Sequence, residues 1–280
     1  MKKVLILGDL SKKKIYDVIC RLKPWFEKQV SINVIDLSKE KKIEKMAAEV
    51  AVVFGGDGAL LSTCRGLGRN QIPIVGVHMG RFGFLAELVE KDVCACLEKI
   101  FIGNYLIRKR MLLLCRVERT GKTINESMGI NDAVISRSSL SRLISIKLNI
   151  NGEDVATYRA DGLIISTPLG STAHSLSAGG PILTPDLNAF VIVPICPHTL
   201  TNRPLVVSGN VKIEMELLSQ MNGIGVTIDG QVFTELEIGD KIKVERSDIE
   251  VQMIDTGART FYGVLREKLN WGGHPNYGSN

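Results

Sequence analysis

The sequence predicts an α/β N-terminal domain with a parallel sheet, a mainly-β C-terminal domain, and a C-terminal tail returning to the first domain. Three observations carry this prediction. The first third of the chain alternates short β-branched runs with amphipathic segments, the pattern of strands joined by crossover helices. After about residue 110 the runs become strand-like, separated by two-residue turn signals, with little helical periodicity. At 261–269 helical spacing returns, with Leu265 and Leu269 as apolar anchors.

In the first part, residues 4–7, 32–36, 50–54 and 74–77 are expected as strands, 11–28 as an amphipathic helix and 89–102 as the last helix of the unit. In the second, 112–118, 133–136, 144–150, 163–166, 211–217, 225–228 and 241–245 are expected as strands. Asn151-Gly152, Asp229-Gly230 and Gly239-Asp240 mark turns between them. The boundary lies near residue 106 and lacks a flexible linker. The expected division is therefore 1–105, 106–255, and a tail at 256–280 packing on the first domain.

Composition narrows the function classes. With 280 residues, 45% hydrophobic and 23% charged, the chain is of ordinary globular type. Its 35 Lys and Arg against 30 Asp and Glu leave only +5, and the basic residues are scattered rather than gathered on one stripe. That argues against a nucleic-acid partner. Six cysteines occur without a C-x-x-C pair, so the expectation is reduced thiols in a cytoplasmic protein, not a zinc or disulfide framework. The opening apolar run is too short for a signal peptide or a membrane span.

The chemistry begins where residues 50–54 run into Gly55-Gly56-Asp57-Gly58, followed by helical spacing over 59–67. Glycines at a strand's carboxyl end can take positive φ and let a ligand approach the backbone. The helix that follows offers unpaired N–H groups and a positive dipole end to an anion. Asp57 would repel a phosphate unless it binds a metal or accepts a proton, the two tasks of a hydroxyl-phosphorylating enzyme. The plain alternative is a turn with Asp57 as helix N-cap. Gly8-Asp9-Leu10-Ser11-Lys12 lacks G-x-G-x-x-G, and no G-x-x-x-x-G-K-[ST] occurs, so hydride-transfer enzymes and P-loop kinases are poorly supported. The loop resembles the strand end shared by NAD kinases, diacylglycerol and sphingosine kinases and the phosphofructokinases. That resemblance implies a loop that meets the phosphate donor, with Mg²⁺ involved.

Later segments separate these possibilities. Gly129-Ile130-Asn131-Asp132 places an amide and a carboxylate before a strand, suited to an adenine edge and to ribose hydroxyls, although Asn-Asp is also an ordinary turn. Arg159-Ala160-Asp161-Gly162 leads through an apolar run into Ser166-Thr167-Pro168-Leu169-Gly170-Ser171-Thr172-Ala173-His174-Ser175-Leu176-Ser177-Ala178-Gly179-Gly180-Pro181. This is a strand ended by proline and glycine, then a small-residue helix start able to offer backbone donors to a pyrophosphate or carbonyl. A proline-bracketed His198 has no second ligand at metal spacing and is expected to be structural. Asp229-Gly230-Gln231 reads first as a hairpin turn, with Gln231 also able to touch a nucleotide.

Taken in this order over about residues 50–271, these motifs closely resemble the NAD kinase family. Ala59, His78, Leu169 and His174 stand where the family commonly has Thr, Asn, Thr or Ser, and Tyr; Ser62 stands where a basic or polar contact is common. The resemblance implies phosphoryl transfer from ATP or polyphosphate to the adenosine-ribose 2′-hydroxyl of NAD, with a divalent metal, Mg²⁺, bound with the donor. It implies Asp57 as general base, with Gly55, Gly56 and Gly58 contacting donor phosphates. Asn131 and Asp132 would hold the adenosine end. Asp161, with Arg142 and Arg159, would contact the dinucleotide from the β-rich domain. Thr172, Ala173, His174, Ser175, Leu176 and Ser177, with Gln231, would line the NAD pocket; His174 would either stack on a base or face solvent at the local helix start. A homodimer or homotetramer is implied as well. The rivals are a lipid kinase sharing the glycine-aspartate loop and a non-catalytic NAD(P)-binding sensor. A sensor has no need of a carboxylate in its phosphate loop.

Overall fold

The computed structural model describes residues 2–39, 43–80, 83–86, 88–137, 143–199, 201–219 and 222–271. The chain opens with β1 (Lys3–Gly8), α1 (Lys13–Gln29), β2 (Ser31–Asp36), β3 (Val50–Gly55), α2 (Asp57–Gly66), β4 (Ile74–His78), the two-residue β5 (Leu88–Val89) and α3 (Val93–Phe101). Their five strands are parallel in the order β5-β4-β3-β1-β2. Every residue of β3 and β4 is buried, as parallel strands covered on both faces must be. Ile6, Val52 and Val77 pack with Val18, Phe26, Leu97 and Ile100 under α1 and α3. Leu5, Leu7 and Val53 pack on the other face with Leu60, Leu61 and Cys64 of α2.

The second part comprises β6 (Leu106–Arg119), β7 (Lys122–Gly129), β8 (Asp132–Arg137), β9 (Ile144–Ile150), β10 (Glu153–Ala160) and β11 (Gly162–Ser166). A single helical turn, α4 (His174–Ser177), follows. Then come β12 (Ala189–Ile195), β13 (Leu205–Ser208), β14 (Ile213–Leu217), β15 (Ile224–Ile228), β16 (Val232–Glu235), β17 (Lys241–Asp255) and the tail helix α5 (Phe261–Leu269). One antiparallel sheet runs β13-β12-β11-β8-β15-β16. It faces a second sheet across a core that joins Ile135, Leu163, Phe190 and Val226 to Leu113, Ile146, Met215 and Val244.

That second sheet is continuous with the first domain. β17 pairs antiparallel with β6 from Lys241↔Glu118 to Asp255↔Leu106, and its far end pairs in parallel with β4 at Met253↔Ile74. Eleven strands thus form one surface. β17 therefore extends ten residues beyond the expected end at 245. The polar stretch from Arg246 to Glu250 is a bulge in the ladder, and it hides the alternation that resumes after it.

The segment 89–102 is not one helix. Val89 pairs with His78 as a strand, a tight turn follows at Glu90–Asp92, and the helix begins only at Val93. β7 and β10 were not expected because polar and exposed residues dominate them. β12 is buried almost throughout, and the apolar run it forms carries Pro194.

Helical expectation after Gly170 is also reduced. Gly170–Thr172 forms a 3₁₀ turn and α4 only four residues, ended by Gly179 at φ 85° and by Pro181. The approach of this segment to the Gly129-Asp132 stretch is close. A Cβ on Gly170 would lie 2.1 Å from the Asn131 carbonyl oxygen and 2.5 Å from its carbon. Backbone atoms cannot yield as a side chain can. Gly170→Ala is therefore expected to lower the thermal unfolding midpoint by several degrees, corresponding to about 1–3 kcal/mol of overpacking. A midpoint unchanged within a degree by scanning calorimetry would contradict that reading.

Candidate functional site

The glycine-aspartate loop lies beyond the carboxyl ends of β1 and β3, between strands whose connections run to opposite sides of the sheet. This switch point is where open α/β sheets hold ligands. Its glycines are used for space rather than for positive φ, since none of Gly55, Gly56 and Gly58 has a left-handed backbone. A Cβ on Gly55 would lie 2.6 Å from the Ala59 Cβ, so only glycine lets α2 fold back over β3. Around Gly56 a Cβ would meet nothing within 4 Å, which leaves its backbone open to approach.

Asp57 is the first residue of α2 and not its cap. Gly56 occupies the N-cap position, without a side-chain cap bond. The carboxylate turns instead to a neighbouring loop: Phe84 N–H donates to Oδ2 at 2.7 Å and Leu85 N–H to Oδ1 at 3.0 Å. Gly83 makes this contact possible, because a Cβ there would sit 2.0 Å from Oδ1. The N-cap alternative is thereby replaced by a carboxylate oriented from outside its own helix.

His78, at the end of β4, is buried, and its Nδ1 accepts from Gly80 N–H at 3.1 Å. Burial lowers its pKa most, and the positive charges of Arg259, Lys268 and Lys14 add to this against Asp57. The tail therefore reaches the strand ends of the first domain. Phe261, Tyr262 and Arg259 share a cavity of about 490 Å³ with Gly83, Phe84, Leu85 and Leu169. The start of the glycine-rich segment and the clamp on Asp57 thus border one space.

The Asn131-Asp132 pair is held by a residue that sequence reasoning took only as a turn. Asp229 Oδ1 accepts from Asn131 N–H at 2.8 Å, Ile130 N–H at 3.1 Å and Asp132 N–H at 3.3 Å. Its Oδ2 receives Arg65 Nη1 of α2 at 2.8 Å. Arg65 also donates to Gln231 Oε1, and Gln231 Nε2 donates to the Gly58 carbonyl at 2.9 Å. Asp132 is itself buried, and its carboxyl is pushed up to about 7 by burial first and by the charge of Asp229 second. Burial also raises Asp229, while the Asn131 and Ile130 amides and Arg65 pull it down. The available signal for Asp229 was a long-range partner, which local patterns do not carry.

From the other side, Thr167 N–H donates to the Asn131 carbonyl at 2.8 Å, and Thr167 Oγ1 donates to the Ile130 carbonyl. Ser171 Oγ bridges the Pro168 carbonyl and the Leu183 N–H. Thr172 Oγ1 donates to the Leu169 carbonyl at 3.2 Å. Ala173 and Leu176 are half-buried, and His174 and Ser177 are exposed. Ser175 is fully buried, and its Oγ has no hydrogen-bond partner among the described residues.

Asp161 pairs with Arg137 at 2.6 Å rather than with Arg159. Arg159 is exposed, and its carbonyl accepts from His198 N–H at 2.9 Å. No hydrogen bond or ion pair among the described residues links Arg159 or Asp161 to Asp57, Asn131 or Asp132. Arg142 lies outside the described residues.

The sequence and fold are similar to those of known proteins. Residues 12–105 match the ATP-NAD kinase N-terminal domain and residues 130–256 the ATP-NAD kinase C-terminal domain. The NAD kinase of Geobacter metallireducens is 38% identical over 281 residues, covering 97% of this chain and 99% of that protein. The NAD kinase of Geotalea daltonii is 44% identical over 225 residues, 80% of this chain and 79% of its own length. The fold is that of yeast NADH kinase solved with NADH, at a TM-score of 0.88 and 21% identity over 100% of this chain and 90% of that one. An Archaeoglobus fulgidus NAD kinase solved with ATP superposes at a TM-score of 0.75, with 24% identity over 96% and 97% of the two chains. With both domains matched in order and relatives similar along nearly their whole length, the chain belongs to the NAD kinase family.

Proposed function

We propose that this chain transfers the terminal phosphoryl group of ATP to the adenosine-ribose 2′-hydroxyl of NAD, giving NADP, with Asp57 as the proton acceptor. The observation that carries the reading is the carboxylate of Asp57, fixed by two amides outside its own helix at the mouth of the parallel sheet. A carboxylate that accepts two N–H groups keeps further lone-pair sites for a substrate hydroxyl. The hydroxyl proton passes to Asp57 as the 2′-oxygen bonds to the terminal phosphorus and the bond to the departing ADP oxygen breaks. Such transfer is mainly positioning and charge neutralisation.

Donor phosphates suit the hollow of about 450 Å³ lined by Gly55, Gly56 and Gly58 with Lys12 and Lys14. It shares Asp9, Lys12 and Ala59 with a second space of about 700 Å³. There Leu37, Met128 and Val232 supply apolar wall for a nucleoside. A polyphosphate donor would need the first hollow alone. Among the described residues no group of three or more His, Cys, Asp or Glu could hold a metal by itself. Mg²⁺ would enter this site with the donor phosphates and would supply charge neutralisation there.

In this reading residues 1–105 form the donor half, 106–255 the NAD half, and 256–280 a tail closing on the first. Asn131 and Asp132 hold the adenosine, and Thr172 to Ser177 with Gln231 border the dinucleotide. Arg142, Arg159 and Asp161 contact it from the β-rich domain, Asp161 while paired with Arg137. A homodimer or homotetramer in the cytoplasm completes the proposal; Leu205 and Val206, exposed on edge strand β13, are the kind of surface a partner copy covers. No helix among the described residues is long and apolar enough to cross a membrane.

Purified protein incubated with NAD, Mg²⁺ and either ATP or polyphosphate should yield NADP, quantified by a coupled dehydrogenase. Asp57→Asn should lower kcat about 10²–10⁴-fold while NAD still binds. Turnover within severalfold of the parent would rule out the general base.

Asp132→Ala should raise KM for NAD roughly three- to tenfold and leave KM for the donor unchanged, the effect of one lost hydrogen bond. Because Asp132 is protonated below about pH 7 and ionised above it, its capacity to accept from a ribose hydroxyl grows with pH. Titration calorimetry should show NAD binding tightening from pH 6 to 8, and Asp132→Asn should flatten that limb. Parallel profiles for the two proteins would remove Asp132 from the pocket.

A further inference from the structure

The turn between β15 and β16 grips α2 at two points on one face. Gly58 and Arg65 are seven residues apart on the helix, so they lie on the same side of it. Gln231 holds the first through its carbonyl, and Asp229 holds the second through its guanidinium. The Asp229 side chain is fully buried and Arg65 is 14% exposed, so water screens the pair little. The same carboxylate collects the backbone amides of Ile130, Asn131 and Asp132.

The turn's backbone makes this choice of residue informative. Asp229 and Gly230 have φ of 52° and 63°, the two left-handed central residues of a tight hairpin turn. Asparagine is the favoured side chain at such a first position and nearly matches aspartate in shape. A turn needing only its geometry would be served at least as well by Asn. A carboxylate facing three amides and a guanidinium is an electrostatic fixture.

We propose that Asp229 is a positioning residue which, with Arg65 and Gln231, ties the helix carrying Asp57 to the Asn131-Asp132 segment, so that donor and dinucleotide meet in one geometry. The inference rests on the roles given above to Asp57 and Asn131-Asp132. The charged groups around Asp229 are Arg65 from α2 and Asp132 from β8, with the Cys64 thiol of α2 also close. Severing the tie leaves each substrate its own half-site and misplaces one relative to the other.

The test is steady-state kinetics with thermal melting on Asp229→Asn, Arg65→Met and Arg65→Lys in the full chain. Asp229→Asn should melt somewhat below the parent, since Arg65 loses its counter-charge, while kcat falls roughly 10–100-fold and the donor's KM stays within twofold. Arg65→Met should resemble it. Arg65→Lys should recover part of the loss, since it restores the charge but not the second arm to Gln231. A kcat within twofold of the parent in both Asp229→Asn and Arg65→Met overturns the proposal. So does a loss of turnover that comes only with a rise in both KM values, or that Arg65→Lys leaves unrelieved. If Asp57→Asn is inactive while Asp229→Asn is not, the tie alone fails; an active Asp57→Asn defeats the underlying reading itself.

Discussion

Everything at the site hangs on the pairing of β6 with β17. The ladder runs from Lys241↔Glu118 to Asp255↔Leu106, and its end reaches Ile74 of β4. Through it a parallel sheet, whose ligand edge is set by strand order, becomes continuous with an antiparallel one. β7 hangs from the same ribbon by pairing with β6, and it ends at Gly129, two residues before Asn131. The half carrying Asp57 and the half carrying Asn131 are thus held by backbone hydrogen bonds, not by a hinge. Gly129, Gly83 and Gly170 permit the last close approaches, each facing atoms that a Cβ would strike.

Electrostatics then works against burial in a small volume. Asp132 and Asp229 are both buried, and burial is the largest influence on each, raising their pKa values. Removing two carboxylates from water is costly unless donors replace the water. Asp229 receives three amides and Arg65, whereas Asp132 has no side-chain donor among the described residues. That imbalance is what brings Asp132 close to neutrality and leaves it the member with unspent acceptor capacity.

Much of this was legible in the sequence, and the boundary of legibility has physical causes. The parallel strands announce themselves because burial on both faces demands continuous apolar runs, as in β3. The glycine-aspartate loop and the glycine-rich segment are local, so their residues stand together in the chain. Asp57's partners, the amides of Phe84 and Leu85, carry no side-chain signature at all. Asp229 reads as a hairpin residue because its turn geometry is local while its partners lie 97 to 99 and 164 positions away. β7 and β10 escape notice because polar, exposed residues interrupt their apolar pattern, and β17 because a bulge breaks its period.

The reach of β17 to β4 also orders events during synthesis. Most of the parallel sheet is encoded by the first 89 residues, yet the flank of β4 at Ile74 gains its neighbour only from Met253. While the ribosome adds the intervening chain, that flank is covered only by the two residues of β5 near its far end. An open strand edge, apolar here but for His78, is a template for wrong partners. Closure of that edge therefore waits on Met253, and pairing across so long a sequence separation favours slow, late completion of the sheet that carries Asp57.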